Sequence, residues 1–338
     1  MELGIDSFAT IIPRAGAVTT PAERIADLLD EIALADAVGV DAFGVGEHHR
    51  PEFVDSAPAI ILAAAGARTK RIRLQSAVTV LGAADPVRVF QDFATLDLIS
   101  GGRAEIVAGR GSSVEAYPLF GHSLDDRDAL YDEKLRLLLA LRTEPHLHWS
   151  GRFRAPLNGE GVYPRPLQQE LPVWVGVGGT PASFARAGAL GLPLMVAIIG
   201  GTFNRFRPLI ELYRMAAREA GVASEQLKVG VHAVGFVGET DDAARSAFYP
   251  GWYDMWSHLG RERGWPPPDE AQFDALCAWD GPYLIGSVET VAAKLRRLDA
   301  DLGGVARVNL QMSSAASDSP AMHRAIELLG QGVRPLMN

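Results

Sequence analysis

Three short stretches combine residue types that chemistry uses with a position directly after an apolar run. Glu47-His48-His49 follows Phe43 to Gly46, Gly109-Arg110-Gly111-Ser112-Ser113 follows Ala104 to Ala108, and Gly178-Gly179-Thr180-Pro181-Ala182-Ser183 follows Val173 to Val177. An imidazole titrates near neutrality, so His48 or His49 can serve as a general base. Neighbouring side chains leave an extended chain in opposite directions. One histidine can therefore face a site while the other braces the adjoining loop; a helix cap or packing network is the plainer reading. In the second stretch the glycines let a ligand approach the backbone, and Arg110 presents a planar donor fork that matches phosphate. A tight turn with a solvated arginine accounts for the same residues equally well. In the third, a helix N-terminus with the Thr180 and Ser183 hydroxyls makes an anion seat, while Thr180-Pro181 also reads as a cap followed by a first-turn proline.

Other candidates carry less. Gly200-Gly201, after Ile198-Ile199, either lines the same pocket or turns the chain. A barrel metallohydrolase would draw on His48, His49 and His232 and would need further inward ligands at other strand ends; the metal-free reading is preferred. Trp149, Trp252, Trp256, Trp265 and Trp279 lie in or beside long loops and read as packing, with some able to cover a pocket. Asp97 to Arg103 reads as a helix end with a glycine cap and is assigned no chemistry.

These stretches need a scaffold that gathers strand ends. Leu3 to Phe8 reads as a strand, and a helix begins in Thr20-Pro21-Ala22-Glu23, where a Thr cap, an early proline and an acidic residue agree. The unit recurs as strand Ala42 to Gly46 with helix Ala57 to Arg68, strand Ile72 to Leu81 with helix Pro86 to Ile99, and strand Ala104 to Ala108 with helix Asp126 to Leu141. After a polar stretch from Pro145 to Pro172 come strands Val173 to Val177, Leu194 to Ile199, Leu227 to Val237 and Ala306 to Met312. Helices Pro181 to Leu190, Asn204 to Ala220, Asp241 to Leu259, Val288 to Leu302 and Pro320 to Leu329 alternate with them. Strand–helix alternation implies a parallel sheet with right-handed crossovers. No G-x-G-x-x-G follows the first strand, which weighs against an open dinucleotide-binding sheet. The expected fold is α/β, a (β/α)8 TIM barrel with insertions near 145–172 and 261–281, in a single domain over 1–338. In such a barrel the loops after the strands form the active face, which is where the three stretches lie.

Totals narrow the partners. Of 338 residues, 48% are apolar and 22% charged, the balance of a globular enzyme. A net charge of −9 with scattered Lys and Arg opposes a nucleic-acid backbone. The lone Cys277 cannot form an internal disulfide, and the start of the chain lacks a basic, apolar leader, so a cytoplasmic protein without a membrane segment is expected.

Taken in order and spacing, Glu47-His48-His49, Val80-Leu81 with Asp85-Pro86-Val87-Arg88, Leu96-Asp97 with Ser100-Gly101-Gly102-Arg103, and Gly109-Arg110-Gly111 resemble the luciferase-like monooxygenase family of flavin enzymes. The resemblance runs from Gly4-Ile5 to Val333-Arg334-Pro335. It implies a barrel that binds FMN and uses reduced flavin with dioxygen on a small organic substrate, acting on paired donors with incorporation of oxygen. The reduced flavin would come from a flavin reductase partner or NAD(P)H. By motif position His48 would lie near the flavin ring. Arg110 would contact the FMN phosphate with Gly178, Gly179, Thr180 and Ser183. A non-proline cis peptide under the ring would map to Ala77-Val78, so that Ala77, Val78 and Thr79 line the isoalloxazine. Two departures argue against copying luciferase itself: Ser112-Ser113 stands where luciferase has an aromatic residue, and Gly178-Gly179 replaces an acidic-Ser pair. A deazaflavin coenzyme on the same fold and a non-enzymatic flavin-binding module are the alternatives. Family relatives dimerise through helices beside strands two and three, and the Ala-rich segment Ala57 to Ala67 would permit such a homodimer.

Overall fold

Alternate residues along each strand face two different environments, and that alternation sets the architecture. The computed structural model describes residues 1–11, 19–111, 114–313 and 319–337. Its strands are β1 (Glu2–Ser7), β2 (Ala42–Val45), β3 (Arg73–Ser76), β4 (Thr79–Val80), β5 (Ala104–Gly109), β6 (His146–Trp149), β7 (Leu157–Gly161), β8 (Val173–Val177), β9 (Leu194–Ile198), β10 (Val229–Val237), β11 (Leu284–Gly286) and β12 (Arg307–Gln311). Parallel pairing runs β1-β2-β3-β5-β8-β9-β10-β12 and returns from β12 to β1, which closes the expected eight-stranded barrel. The helices are α1 (Pro21–Ala37), α2 (Pro58–Arg68), α3 (Pro86–Ser100), α4 (Ala116–Leu119), α5 (Arg127–Thr143), α6 (Pro181–Ala189), α7 (Arg207–Glu219), α8 (Asp241–Arg263), α9 (Glu270–Cys277), α10 (Val288–Leu302) and α11 (Ser319–Glu327). None of those described is long and apolar enough to cross a membrane.

Outward-facing residues such as Leu3, Ile5, Val175, Val196, Val231 and Leu310 join the core between barrel and helices. The inward positions differ from the branched aliphatic filling usual in such barrels. Arg307, 2% exposed, donates to Glu105 at 2.6 Å, Gln75 at 2.7 Å and Glu2 at 2.8 Å, and lies over the Trp174 ring. One layer higher, Asp6 accepts from Asn309 at 2.9 Å and pairs with His232 at 2.6 Å. Gly44 leaves room for this cluster, since a Cβ there would collide with the Asp6 carboxylate and with Ala77. A small apolar group of Val107, Trp174 and Met195 fills the remaining interior, and Val78 packs on it.

Several elements differ from expectation. The strand expected over Ile72 to Leu81 is broken at Ala77-Val78, whose peptide bond is cis, and β4 pairs with β5 beyond the break. The stretch 145–172 holds the antiparallel hairpin β6-β7, and the second insertion holds α9, started by a capping box between Asp269 and Gln272. Helix α8 continues one turn past Leu259 to a left-handed Gly264 cap. These pieces escaped the periodicity reading because β7 and α9 are short and mostly exposed, so little alternation is written into them.

Candidate active site

Because the barrel strands are parallel, the segments after β1, β2, β3, β5, β8 and β9 open on one rim. After β2, His48 and His49 take the two roles that their adjacency suggested. His48 Nδ1 lies 3.0 Å from the carboxylate of fully buried Asp55, and its ring stacks on Phe53 and tilts against Phe8. With Nδ1 tied to a carboxylate, Nε2 is the nitrogen left for a ligand. Burial raises the Asp55 pKa, opposed by its bond to His48, and its second oxygen has no hydrogen-bond partner. His49 instead leans on Glu47 at 3.1 Å, and Glu47 also accepts the Val80 amide at 2.9 Å. Glu47 thereby ties the β2 loop to the strand beyond the cis bond.

Arg50, two residues beyond His48, ties its own loop to the start of α4 and to α8: it donates to Glu52 at 3.1 Å, to Glu115 at 2.8 Å and to Glu262 of α8. His258 of α8 reaches Glu52 at 2.6 Å. Glu52, His258 and Glu262 form the one ligand-type cluster among the described residues, and the Arg50 guanidinium already offsets their charge. His48, His49 and His232 do not assemble. Each is tied to a different carboxylate, so the metallohydrolase reading has no centre in this arrangement.

Across the rim, Arg110 approaches both the Thr180 and the Ser183 hydroxyls at 3.4 Å and pairs with Asp128 at 2.6 Å. The arginine holds the Asp128 carboxyl below its ordinary range. Tyr117 donates to the Arg110 carbonyl at 3.0 Å, which fixes the turn. Thr180 occupies the cap position of α6, followed by Pro181, and its side chain makes no capping bond; Pro181 carries no N–H and the Ser183 amide donates to the Thr180 carbonyl at 2.9 Å, so the Ala182 amide is the first-turn donor left for a ligand. Nothing lies within 4 Å of the place where a Cβ on Gly178 would stand. A guanidinium, two hydroxyls, one helix amide and a bare glycine suit a phosphate monoester.

Between these two groups lies the floor. Ala77 and Val78 are half-buried, and Thr79 is buried with its hydroxyl unpartnered. Val78 leans on β5 and β8, where a Cβ on Gly109 or Gly176 would strike it. Every cofactor-side residue singled out from sequence thus lies on this rim, while Ser112-Ser113 falls outside the described residues. Gly200-Gly201 does line a pocket, a neighbouring one that includes Trp252 and Trp256. Sequence reasoning passed over Asp55, Glu47 as a clamp, and the Arg50 clasp. The available signal for Asp55 was a lone acid in the otherwise apolar Phe53-Val54 and Ala57-Pro58 surroundings.

The family profile described as luciferase-like monooxygenase matches residues 5–304. The chain belongs to the luciferase-like monooxygenase family. Its fold recurs in the monooxygenase RslO1 from Streptomyces bottropensis, with a TM-score of 0.86 and 24% identity over 99% of both chains. It recurs also in the oxygenating constituent of 3,6-diketocamphane monooxygenase from Pseudomonas putida, a type II Baeyer-Villiger monooxygenase in complex with FMN, at a TM-score of 0.80, 20% identity and 100% and 99% coverage. An F420-dependent secondary alcohol dehydrogenase in complex with an F420-acetone adduct has a TM-score of 0.75 at 19% identity, with 100% and 99% coverage. Among curated relatives, the uncharacterized protein y4wF of Sinorhizobium fredii is 31% identical over 156 residues, 46% of this chain. The alignment spans 45% of that relative's length. The same fold thus serves proteins whose names specify different cofactors, FMN in one and F420 in the other.

Proposed function

We propose that this luciferase-like protein is an FMN-dependent monooxygenase that applies reduced flavin and dioxygen to a small organic substrate, placing one oxygen atom in it. The observation that carries the reading is the meeting of Arg110, Thr180 and Ser183 at the uncapped end of α6, on the rim that also holds His48. Bound there, reduced flavin would supply the two electrons that activate dioxygen. Arg110, the Thr180 and Ser183 hydroxyls and the Ala182 amide would hold the terminal phosphate, with Gly178 and Gly179 giving the backbone room. Ala77, Val78 and Thr79 would support the ring, and the Val107, Trp174 and Met195 group beneath Val78 would keep water from below. His48, held by Asp55 in one tautomer, would deliver or remove a proton at Nε2. The electron donor would be a separate flavin reductase or NAD(P)H.

Titrating the protein with FMN, reduced FMN and F420 tests the reading. Binding of an FMN form with oxygen consumption upon supply of a reductase supports it. Tight FMN binding without oxygen consumption would point to a flavin-binding module. F420 binding in place of FMN would favour the second reading, a deazaflavin-dependent oxidoreductase, which the likeness to the F420-dependent dehydrogenase supports. We further propose a homodimer through α2, whose exposed face presents Ala57, Ile60, Ala64 and Ala67, and a cytoplasmic setting consistent with the single free thiol.

A further inference from the structure

Beside the rim, the loop after β9 and helices α8 and α9 line an open cavity of about 560 Å³. Ile199, Trp252, Trp256, Pro268, Leu276 and Tyr283 give it mostly ring and aliphatic walls. One buried polar group interrupts them. Tyr283 is 1% exposed; its hydroxyl accepts the Trp252 indole N–H at 3.0 Å. An indole N–H only donates, so Trp252 cannot take the phenolic proton. Among the described residues no other side chain or carbonyl engages it. Burial pushes the hydroxyl pKa up to about 12, which keeps that proton in place at neutral pH.

We propose that this cavity is the subsite for the organic substrate and selects a neutral, ring-bearing molecule whose carbonyl oxygen accepts the Tyr283 proton. A flat ring gains most from walls made of indole and proline faces. A buried donor without an acceptor favours any ligand that supplies one. The proposal rests on the reading of the rim as the cofactor seat: Ile199 to Gly201 directly follows β9, the strand beside β8, whose end carries Gly178.

Isothermal titration calorimetry with 2-acetonaphthone, and with 2-ethylnaphthalene as a match lacking the oxygen, tests it. The ketone binds saturably, and Tyr283→Phe weakens it about tenfold, the effect of one hydrogen bond, while leaving 2-ethylnaphthalene unchanged. Ala275→Trp, at an exposed lining position, blocks both ligands without disturbing the core. FMN titrations of both variants match the parent protein. Equal ketone affinity in Tyr283→Phe, or unchanged binding in Ala275→Trp, overturns the proposal. A parent protein that binds FMN but no ketone refutes the subsite alone; one that binds the ketone but no flavin upholds the cavity's selectivity and refutes the cofactor reading.

Discussion

In the proposed reaction His48 acts through Asp55. The carboxylate accepts from Nδ1 at 3.0 Å and so fixes which nitrogen is free. Asp55→Asn keeps the shape but admits the other tautomer, and substrate turnover in steady-state assays falls by roughly two orders of magnitude with flavin affinity unchanged. Equal turnover would assign Asp55 to packing alone. A second expectation concerns Cys277, 2% exposed, whose thiol burial pushes up to about 11. Thiolate is the reactive form, so iodoacetamide at pH 8 leaves Cys277 unmodified in the native protein and alkylates it after unfolding, as mass spectrometry would show. Residues at strand ends were legible in sequence because a polar group directly after an apolar run sits where a barrel opens its active face; His48, Arg110 and Thr180 stand out that way. Their partners do not. Asp55 and Asp128 reach them from seven and eighteen residues away, and only the folded chain sets those distances.

At the scale of elements, the stretch Ser100 to Arg103 closes helices. Gly101 adopts the left-handed cap of α3, and Arg103 donates to the carbonyls of Gly66, Thr69, Ile72 and Ser100, joining the ends of α2 and α3 to β3. Arg103→Ala orphans those acceptors and lowers unfolding stability by about 3 kcal/mol, read from the urea midpoint. Lys134 of α5 ties the loop after β4 through the Gly82 carbonyl at 2.7 Å, and burial pushes its ammonium down to about 8. Between about 8 and its ordinary 10.5 the unfolded chain binds a proton that the folded chain lacks, so this lysine makes stability rise with pH across that window. Lys134→Met removes that contribution, visible as a smaller difference between urea unfolding at pH 8 and at pH 9. The main strands and helices were legible from periodicity. The polar barrel interior was not weighed, although Glu2 and Asp6, or Arg307, Asn309 and Gln311, recur on one face of their strands.

For the whole molecule, closure of the barrel is what turns separate motifs into one site, and closure was legible as a count of alternating units together with the missing G-x-G-x-x-G of an open dinucleotide-binding sheet. Whether the chain meets a second copy is a matter of surface. Ile60 is 73% exposed at the centre of the small-residue face of α2. Ile60→Glu converts the proposed dimer to a monomer by light scattering, and a parent protein that is already monomeric rules the dimer out. Whether the rim seats a flavin by its phosphate is decided by fluorescence titration of FMN into the parent protein, Arg110→Ala and His48→Ala. FMN binds the parent, binds Arg110→Ala at least tenfold more weakly through loss of the phosphate contact, and binds His48→Ala with nearly unchanged affinity. A parent protein that binds neither oxidised nor reduced FMN would refute the flavin seat.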